Sequence, residues 1–366
     1  MSSPPAIPSS RRAIIQDAEG KPELAEIPIP TLTPGTILVK ALAVALDPSD
    51  YKMGAAFPTP GAVIGSNFAG TVIAVAPGTG TDLVPGDTVA GGSHGSNPGN
   101  PKNGAFATYI RAPAPLTMRL TPTAKLAPEQ AATLATALAT CTLALWSADA
   151  LALLPSTPEQ PSEKPLFVLV YGGSTATGTI AIQLLRLSGL DPITVCSPHN
   201  FALVRSRGAG AVFDYSDPDT PAAIKKHTDG QLKHVLDCIS DAQSVEACFG
   251  AMARVGGRYA SLELVPDEML AKRRAVHARL VMAFEILGEE VRLPGGYGKP
   301  ADPAKRELGV RFFAMFQRLL NEGKLVPHPT QRVEGGLEGI VGGLQLLKSG
   351  SLSGKKLYAI LADEYT

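Results

Sequence analysis

Hydrophobic and polar positions follow two different periods along this chain. Short runs rich in β-branched residues at 36–44, 70–75 and 87–90 are separated by Pro-Gly turns, which predicts a small β-rich domain. A glycine-rich loop at 91–104 then leads to a further predicted strand at 105–109. From residue 166 onward, apolar runs alternate with helical periods, which predicts a parallel, doubly wound sheet in the middle of the chain.

The later elements and the domain limits follow from the same pattern. The uncharged stretch 131–148 has the length of a membrane span, but Ala and Thr fill it, so we predict a buried helix there. A Pro/Ser/Glu loop at 155–165 marks the change of rhythm. We expect one domain made of residues 1–140 and 325–366 and a second made of residues 141–324. Predicted strands lie at 166–171, 192–196, 211–213, 235–239, 258–262 and 356–361, and predicted helices at 304–321 and 337–349.

Composition narrows the function classes. Of the 366 residues 45% are hydrophobic, and 33 basic residues balance 33 acidic ones without a long run of either sign. We therefore expect no nucleic-acid or membrane-surface partner, and a small-molecule or protein partner instead. The first ten residues read as a loose tail and not as a secretory signal, which favours a cytoplasmic location. Four cysteines without CxxC spacing predict free thiols.

A predicted strand at 166–171 runs into a glycine turn and then into an apolar helix. A helix N-terminus offers N–H groups and partial positive charge to a pyrophosphate, and small residues let the backbone come close. Two alternatives stay open: an ordinary strand-to-helix turn, and a hydrolase nucleophile elbow in which Ser174 is the nucleophile. The turn reads Gly172-Gly173-Ser174-Thr175-Ala176-Thr177-Gly178.

The end of the next predicted strand indicates which nucleotide is bound. An NAD site places Asp or Glu there to bind the ribose hydroxyls, but this chain has Ser197, His199 and Asn200. These side chains donate hydrogen bonds to a 2′-phosphate, which favours NADPH. The alternatives are that His199 is an ordinary surface histidine and that the nearby Arg205 is a solvated helix charge.

The chain as a whole resembles the zinc-free medium-chain dehydrogenase/reductases, and within them the fungal trans-acting enoyl reductases of polyketide synthase and hybrid peptide-synthetase pathways. The broader resemblance is carried by a predicted loop at 47–50 and by the segments 65–70, 85–89, 104–107 and 352–357. The narrower one is carried by 171–177, 187–189, 196–200 and 213–215. It implies a GroES-like β-barrel catalytic domain beside a Rossmann domain, NADPH as cofactor, and reduction of an α,β-unsaturated thioester on an acyl carrier domain.

The resemblance also assigns residues, and all of these assignments are expectations. The cofactor contacts that it implies are Ser49, Asp50, Tyr51, Lys52, Ser174, Thr175, Ala176, Thr177, Ser197, His199, Asn200, Tyr215, Leu262, Glu263, Leu352 and Ser353. The substrate wall that it implies is Phe284, Glu285, Ile286, Leu287 and Gly288, and we add Thr140 as a candidate substrate contact. Glu263 departs from the Asn that the family pattern has at that position.

The remaining chemistry suits conjugate reduction without a metal. Zinc-dependent relatives need a Cys near position 48 and a His-Glu pair near 66, where this chain has Pro48, Ser66 and Asn67. No Tyr-x-x-x-Lys pair occurs either. Lys52 and Thr140 are the candidate donors to the thioester carbonyl or the nicotinamide ribose, and Tyr51 is a candidate proton donor. Alternatively, Lys52 is a solvated charge and Thr140 a helix-packing residue.

Three functions therefore compete. The first is a trans-acting enoyl reductase that binds its polyketide synthase or hybrid synthase transiently. The second is an NADPH quinone or enone reductase for free small molecules, and the third is a cofactor-binding scaffold without catalysis. Medium-chain reductases often pair through the edge of the Rossmann sheet, but the narrower resemblance implies a monomer.

Overall fold

The computed structural model describes residues 7–361, so residues 1–6 of the predicted tail lie outside it. The chain forms two compact units. The first contains the residues up to Thr136, the segment Glu290–Lys299, and the residues from Phe313 onward. The second contains Ala137–Glu289 and Pro300–Phe312.

Within residues 7–361, fifteen strands build the sheets of the two units. In chain order they are β1 (Ser10–Gln16), β2 (Pro22–Pro28), β3 (Thr36–Ala45), β4 (Asn67–Val75), β5 (Thr88–Gly92), β6 (Tyr109–Pro113), β7 (Thr117–Arg119), β8 (Phe167–Tyr171), β9 (Asp191–Cys196), β10 (Ala211–Asp214), β11 (His234–Asp237), β12 (Gly257–Ser261), β13 (Val276–Leu280), β14 (Thr330–Val333) and β15 (Lys356–Ile360).

Ten α-helices accompany them in the part of the chain that the structure describes. They are α1 (Pro48–Ala56), α2 (Pro128–Ala131), α3 (Ala135–Cys141), α4 (Ala176–Leu187), α5 (Phe201–Ser206), α6 (Thr220–His227), α7 (Ala242–Ala251), α8 (Asp267–Leu270), α9 (Pro303–Asn321) and α10 (Gly336–Lys348).

The first unit is built on a seven-stranded sheet with the order β14-β15-β3-β4-β5-β7, in which β6 also pairs with β3. Most of its pairs are antiparallel, and β1 and β2 form a separate two-stranded sheet. The long strand β3 buries most of its side chains, as its run of Val, Ile, Leu and Ala predicts. Phe68 and Phe106 are fully buried in this core.

The second unit contains a six-stranded parallel sheet with the order β10-β9-β8-β11-β12-β13. The strand order reverses between β8 and β11. In sheets of this kind, ligands bind outside the carboxyl ends of the strands at that reversal. The α/β fold class is therefore confirmed, with a Rossmann-like unit and a separate GroES-like sheet unit.

Three predicted elements differ from the structure. The predicted helix at 131–148 is broken into α2, α3 and a π-helical turn, Thr142–Trp146. Threonine accounts for part of the break, because the hydroxyls of Thr133 and Thr142 donate to the carbonyls of Gln130 and Leu138 and compete with regular helix bonds. The strand predicted at 105–109 begins at Tyr109. Residues 48–50 of the predicted loop at 47–50 form the first turn of helix α1, and Asp47 precedes it.

Other features of the pattern agree with the structure or extend it. No helix within residues 7–361 is long and apolar enough to cross a membrane. The four cysteines are free thiols, as predicted. The sequence did not predict β13 and β14, which are short strands whose half-buried residues show little alternation.

Candidate active site

The glycine turn of the second unit joins β8 to α4. Gly172 has φ +76°, a backbone conformation that glycine adopts without strain. The side chain of Thr175 caps α4 by accepting a hydrogen bond of 3.0 Å from the N–H of Gly178. Residues 174–177 are half-buried, so their backbone N–H groups lie at an accessible helix N-terminus.

Close packing explains why glycine occupies this turn. A Cβ at Gly173 would lie 1.8 Å from the Oγ1 of Thr194, and one at Gly178 would lie 2.5 Å from the carbonyl oxygen of Gly172. Side chains at these positions would push the turn away from the sheet. A bare turn in front of a helix N-terminus fits the pyrophosphate of a dinucleotide, although its glycine spacing departs from the GxGxxG motif.

Helix α3 packs against this turn and carries Thr140. The thiol of Cys141 donates to the carbonyl oxygen of Thr177 at 3.7 Å. Burial raises the pKa of that thiol well above its usual value. Thr140 itself is 5% exposed. The structure thus places the end of α3, where Cys141 follows Thr140, against the glycine turn of the same unit.

The end of β9 presents the polar side chains that were predicted for an adenosine phosphate. Ser197 is half-buried, His199 is exposed, and Asn200 is buried in a short 3-10 turn, Pro198–Asn200. Tyr215 follows β10 and is 46% exposed. Because β9 and β10 are parallel neighbours, both groups lie at the carboxyl edge of the sheet.

Two charged residues near this edge, Asp214 and Arg205, were not among the predicted cofactor contacts. Asp214 lies beside Cys196 in the sheet register, and its carboxylate accepts hydrogen bonds from the N–H and hydroxyl of Ser216. Arg205 stacks 5.4 Å from the ring centre of Phe201. Burial and then the charge of Asp214 raise the pKa of the Cys196 thiol, Arg205 opposes them, and the net value is about 11. Both charged groups therefore lie close to the end of β9.

A buried carboxylate, Asp237, holds the turn after β11. Its Oδ1 accepts the N–H groups of Ile239 and Ser240 at 2.9 Å, and its Oδ2 accepts the hydroxyls of Ser244 and Tyr259 at 2.7 and 2.8 Å. Burial raises the pKa of Asp237. A strand-final Asp with Ser240 and Ser244 a few residues later was the signal in the sequence for this structural role.

The loop after β12 contains Leu262 and Glu263. The N–H of Leu262 donates to the hydroxyl of Ser240 at 2.9 Å, which ties this loop to the turn held by Asp237. Glu263 accepts the N–H of Leu264 at 3.2 Å with its own carboxylate. The departure from the family Asn thus gives a side chain that bonds to its own loop.

In the first unit, α1 carries the predicted catalytic residues. Ser49 and Tyr51 are half-buried, and Tyr51 packs against the hydrophobic core. Lys52 is exposed. Asp50 is 3% exposed, so its side chain points into the unit, where it belongs to a polar network.

That network is centred on Asp47, the residue that precedes α1. Its carboxylate forms an ion pair with Lys356 of β15 and accepts a hydrogen bond from the side-chain amide of Asn67. The amide oxygen of Asn67 accepts both the N–H and the hydroxyl of Thr136 at 2.8 Å. Four separate chain segments are therefore joined at the start of the helix that carries Lys52.

Asp50 closes the network from inside. Its carboxyl accepts the N–H of Asp47 at 2.7 Å and the hydroxyl of Ser66 at 3.2 Å. Burial, and then the charge of Asp47, raise the pKa of Asp50 to about 8, while Lys356 and Ser66 lower it. Asp50 is therefore protonated in most molecules at neutral pH. Its side chain is turned inward, and its role as a cofactor contact stays a prediction.

The predicted substrate wall is a short 3-10 turn, Ala283–Leu287. Phe284, Leu287 and Gly288 are half-buried, whereas Ile286 is buried. Glu285 is 5% exposed, and its carboxylate pairs with Lys305 at 2.6 Å and with Arg279 at 2.5 Å. Its side chain is thus bound inside its own unit.

Asp149 extends this charge cluster. It pairs with Arg279 at 2.9 Å and with Lys305 at 3.0 Å. Burial raises the pKa of Asp149, but hydrogen bonds from Ser147 and Lys305 and the charges of Lys305 and Arg279 outweigh this effect and lower it to about 2. The cluster fixes the turn that contains Phe284 and Leu287.

Two further predicted residues precede β15 in the first unit. Leu352 is half-buried against the core, and Ser353 is exposed. Within residues 7–361, no three side chains of His, Cys, Asp or Glu gather in an arrangement that holds a metal ion.

Two family models match the chain, each within one of the regions described above. The model described as "Alcohol dehydrogenase GroES-like domain" matches residues 33–122, and the one described as "Zinc-binding dehydrogenase" matches residues 176–284. Both belong to the medium-chain dehydrogenase/reductases.

Curated relatives give a narrower assignment. The trans-enoyl reductase TwmE of Talaromyces wortmannii is 50% identical over 98% of this chain and 100% of its own length. The chain belongs to the trans-enoyl reductases. The reductase poxP of Penicillium oxalicum is 45% identical over 98% of this chain and 95% of its own length. The reductase ccsC of Aspergillus clavatus is 43% identical over 96% of each chain.

Solved structures share the fold of this trans-enoyl reductase. A putative zinc-dependent alcohol dehydrogenase from Rhizobium etli aligns with a TM-score of 0.78 at 25% identity, over 96% of this chain and 98% of its own. The CurK enoyl reductase aligns with a TM-score of 0.70 at 17% identity, over 96% and 99% of the two chains.

These findings confirm the predicted family, the fold class and the assignment to the oxidoreductases. They exclude the α/β-hydrolase alternative with Ser174 as nucleophile. Individual cofactor and substrate contacts remain predictions.

Proposed function

We propose that this chain is an NADPH-dependent, trans-acting enoyl reductase that reduces the α,β-unsaturated thioester of a carrier-bound polyketide intermediate. The observation that carries the proposal is its identity of 40–50% to several trans-enoyl reductases over nearly its whole length. The glycine turn of the second unit supports a dinucleotide cofactor. When bound, NADPH supplies the hydride that is added to the β-carbon of the thioester.

The choice of NADPH rests on the end of β9. No carboxylate follows that strand directly, and Ser197 and His199 expose donors there. Asp214, the nearest acid in the register, is held by hydrogen bonds from Ser216. Arg205 adds positive charge beside Cys196. This group of donors suits a 2′-phosphate better than a bare ribose.

The chemical step needs a donor at the thioester carbonyl, because hydride addition places negative charge on that oxygen. We assign this role to Lys52, an exposed residue of α1. Thr140 is a second donor, to the carbonyl or to the nicotinamide ribose, and Tyr51 is the candidate that protonates the α-carbon. In comparable sites, each preorganised donor lowers the activation barrier by roughly 3 kcal/mol.

We propose that the reaction needs no zinc. In this chain Ser66 and Asn67, which stand where zinc-dependent relatives have their His-Glu pair, bond to Asp50, Asp47 and Thr136. A metal at this place would have to displace the ion pair between Asp47 and Lys356. A positively charged Lys356 is a poor neighbour for a divalent cation.

Phe284 and Leu287 are proposed to line the path of the acyl chain. Their turn is anchored by the ion pairs of Glu285, so the wall keeps its position when polyketides of different length bind. The partner that presents the substrate is proposed to be a polyketide synthase or a hybrid synthase that is bound transiently, and the reductase to work as a monomer in the cytoplasm.

The test is the loss of NADPH absorbance with an α,β-unsaturated acyl thioester of N-acetylcysteamine. We expect turnover with NADPH, much slower turnover with NADH, and no effect of prior dialysis against a metal chelator. Reduction of quinones or free enones without any reduction of thioesters would instead support the second candidate function. Tight NADPH binding without turnover of any of these compounds would indicate a scaffold.

A further inference from the structure

Three surface segments lie side by side at the amino ends of β11, β12 and β13. They are residues 225–233, 252–258 and 271–275, which we call the basic edge. The N–H of Ala253 donates to the carbonyl of Leu232 at 2.7 Å, and that of Arg258 donates to the carbonyl of Lys233 at 2.7 Å. The guanidinium of Arg273 reaches the carbonyl of Ala253 at 2.7 Å. These bonds join the three segments into one surface.

Charge is strongly segregated on the basic edge. Although the whole chain is formally neutral, these segments hold eight basic residues and a single acid, Asp229. The positive charge also affects the adjacent His234. Burial, and then the charges of Arg258 and Lys233, lower the pKa of this histidine. The basic residues are Lys225, Lys226, Lys233, Arg254, Arg258, Lys272, Arg273 and Arg274.

Three of these eight basic residues form an ion pair or a hydrogen bond within the fold. Lys272 pairs with Glu246, while Arg258 and Arg273 donate to backbone carbonyls. The other five are exposed, and none of them forms an ion pair with any residue in the described range 7–361. They are Lys225, Lys226, Lys233, Arg254 and Arg274.

An apolar side chain stands among these cations. Val255 is 76% exposed, more than any other large hydrophobic residue within 7–361. Leu166, which precedes β8 and is thus next to the start of β11, is 36% exposed. An exposed apolar side chain with charged residues in the segments on either side is typical of a protein interface, in which a dry centre is surrounded by a polar rim.

The basic edge is also well separated from the cofactor site of its own unit. The glycine turn and the loops after β9, β11 and β12 lie at the carboxyl ends of the parallel strands, and the basic edge lies at their amino ends. A macromolecule bound at the amino ends therefore leaves the nucleotide end of this unit accessible.

We propose that the basic edge is the surface by which this reductase docks onto an acidic face of its polyketide synthase. This proposal rests on the proposed function, since a trans-acting enzyme must bind its synthase without covering the site that the carrier-bound substrate enters. Five uncommitted cations supply charge complementarity and speed the encounter, and Val255 supplies the apolar contact at the centre.

The test compares Lys233→Glu/Arg254→Glu with a matched control, Lys102→Glu/Lys348→Glu, whose two lysines are exposed in the first unit. Each full-length variant is assayed with the N-acetylcysteamine thioester and with the same acyl group on the carrier domain of its intact partner synthase. We expect the first variant alone to lose about tenfold in kcat/KM on the synthase, with unchanged turnover of the small thioester. The tenfold loss corresponds to about 1.4 kcal/mol.

Ionic strength supplies a second readout. For the native enzyme, kcat/KM on the synthase-bound substrate should fall relative to kcat/KM on the small thioester as the salt concentration rises. Equal behaviour of the two variants on the synthase would overturn the docking proposal while leaving the enoyl reductase intact. Turnover on the synthase that does not depend on salt would also overturn it if it is found with either of two other results. One is binding of the native chain to phosphatidylserine vesicles, and the other is a native dimer that dissociates in the first variant. Failure to reduce the small thioester would count against the proposed function itself.

Discussion

At the scale of single residues, the site depends as much on missing side chains as on present ones. Gly173 has no room for a Cβ because the hydroxyl of Thr194 fills that space and donates to the carbonyl of Val170 at 2.6 Å. Gly65 has φ +96° and faces the ring of Phe106, which a Cβ would meet at 2.4 Å. The missing side chain at Gly173 lets the nucleotide turn pack closely on Thr194, and the one at Gly65 lets the backbone before Ser66 and Asn67 pack closely on Phe106.

Replacement of Gly173 by alanine should weaken NADPH binding at least tenfold and lower the free energy of unfolding by roughly 1–3 kcal/mol, because the turn must shift outward. Fluorescence titration and denaturant unfolding measure the two effects. Gly342→Ala is the control, since a Cβ there meets nothing within 4 Å, and it should stabilise α10 by about 0.5–1 kcal/mol. Adding Thr194→Ala to Gly173→Ala should recover part of the affinity. No loss in the single variant would show that the turn does not carry the pyrophosphate.

Lys52 is the residue on which the proposed chemistry most depends. Lys52→Ala should lower kcat/KM for the acyl thioester by about a hundredfold, the usual cost of one donor at a developing oxyanion. Steady-state kinetics and NADPH titration together separate a catalytic effect from a binding effect. Lys102→Ala, a change at another exposed lysine of the same unit, should leave both parameters unchanged. Unaltered kinetics of Lys52→Ala would remove this residue from the mechanism.

At the scale of elements, helix α1 is placed by the polar network at its start. Asp47 binds β15 through Lys356 and β4 through Asn67, and Asp50 binds Ser66. A segment that the sequence pattern leaves as a loop is therefore held firmly by buried polar contacts. The network also introduces a dependence of stability on pH, because Asp50 is buried and its pKa is raised to about 8.

The sign of that dependence follows from linkage. An Asp whose pKa is higher in the folded chain stabilises it below the unfolded value and loses that contribution as pH rises through the folded value. Between about pH 5 and pH 8 the native free energy of unfolding should thus fall, by up to about 1.4 kcal/mol per pH unit from this group. In Asp50→Asn this slope should disappear, whereas Glu307→Gln, an exposed control, should keep it. Urea unfolding across this pH range measures it, and parallel native and Asp50→Asn curves would contradict the account.

The elements also show what sequence alone can predict. The strands β3, β8, β9 and β12 and the helices α9 and α10 were predicted to within a few residues, because their buried faces produce long, regular patterns. Helix α1 and the break after α2 were missed, since both depend on local side-chain to backbone bonds. The nucleotide turn was recognisable from its glycines, whereas the network around Asp47 joins residues as distant in sequence as 47 and 356. Contacts of that separation leave no periodic signal.

At the scale of the whole molecule, the Rossmann-like unit separates its tasks between the two ends of its sheet. The carboxyl ends carry the glycine turn and the donors after β9, and the amino ends carry the basic edge. This separation suits an enzyme that holds a cofactor while it is bound to a much larger partner. Neutral net charge conceals the asymmetry, which appears only when the three segments are brought together by the fold.

The most direct test of the central claim is to follow the hydride itself. NADPH deuterated at the transferring position of nicotinamide C4 is incubated with the enzyme and an α,β-unsaturated acyl thioester, and the product is examined by mass spectrometry and NMR. We predict one deuterium, on the β-carbon of the saturated thioester. Deuterium at the carbonyl carbon, or a product without deuterium, would contradict the assignment of this chain as an enoyl reductase.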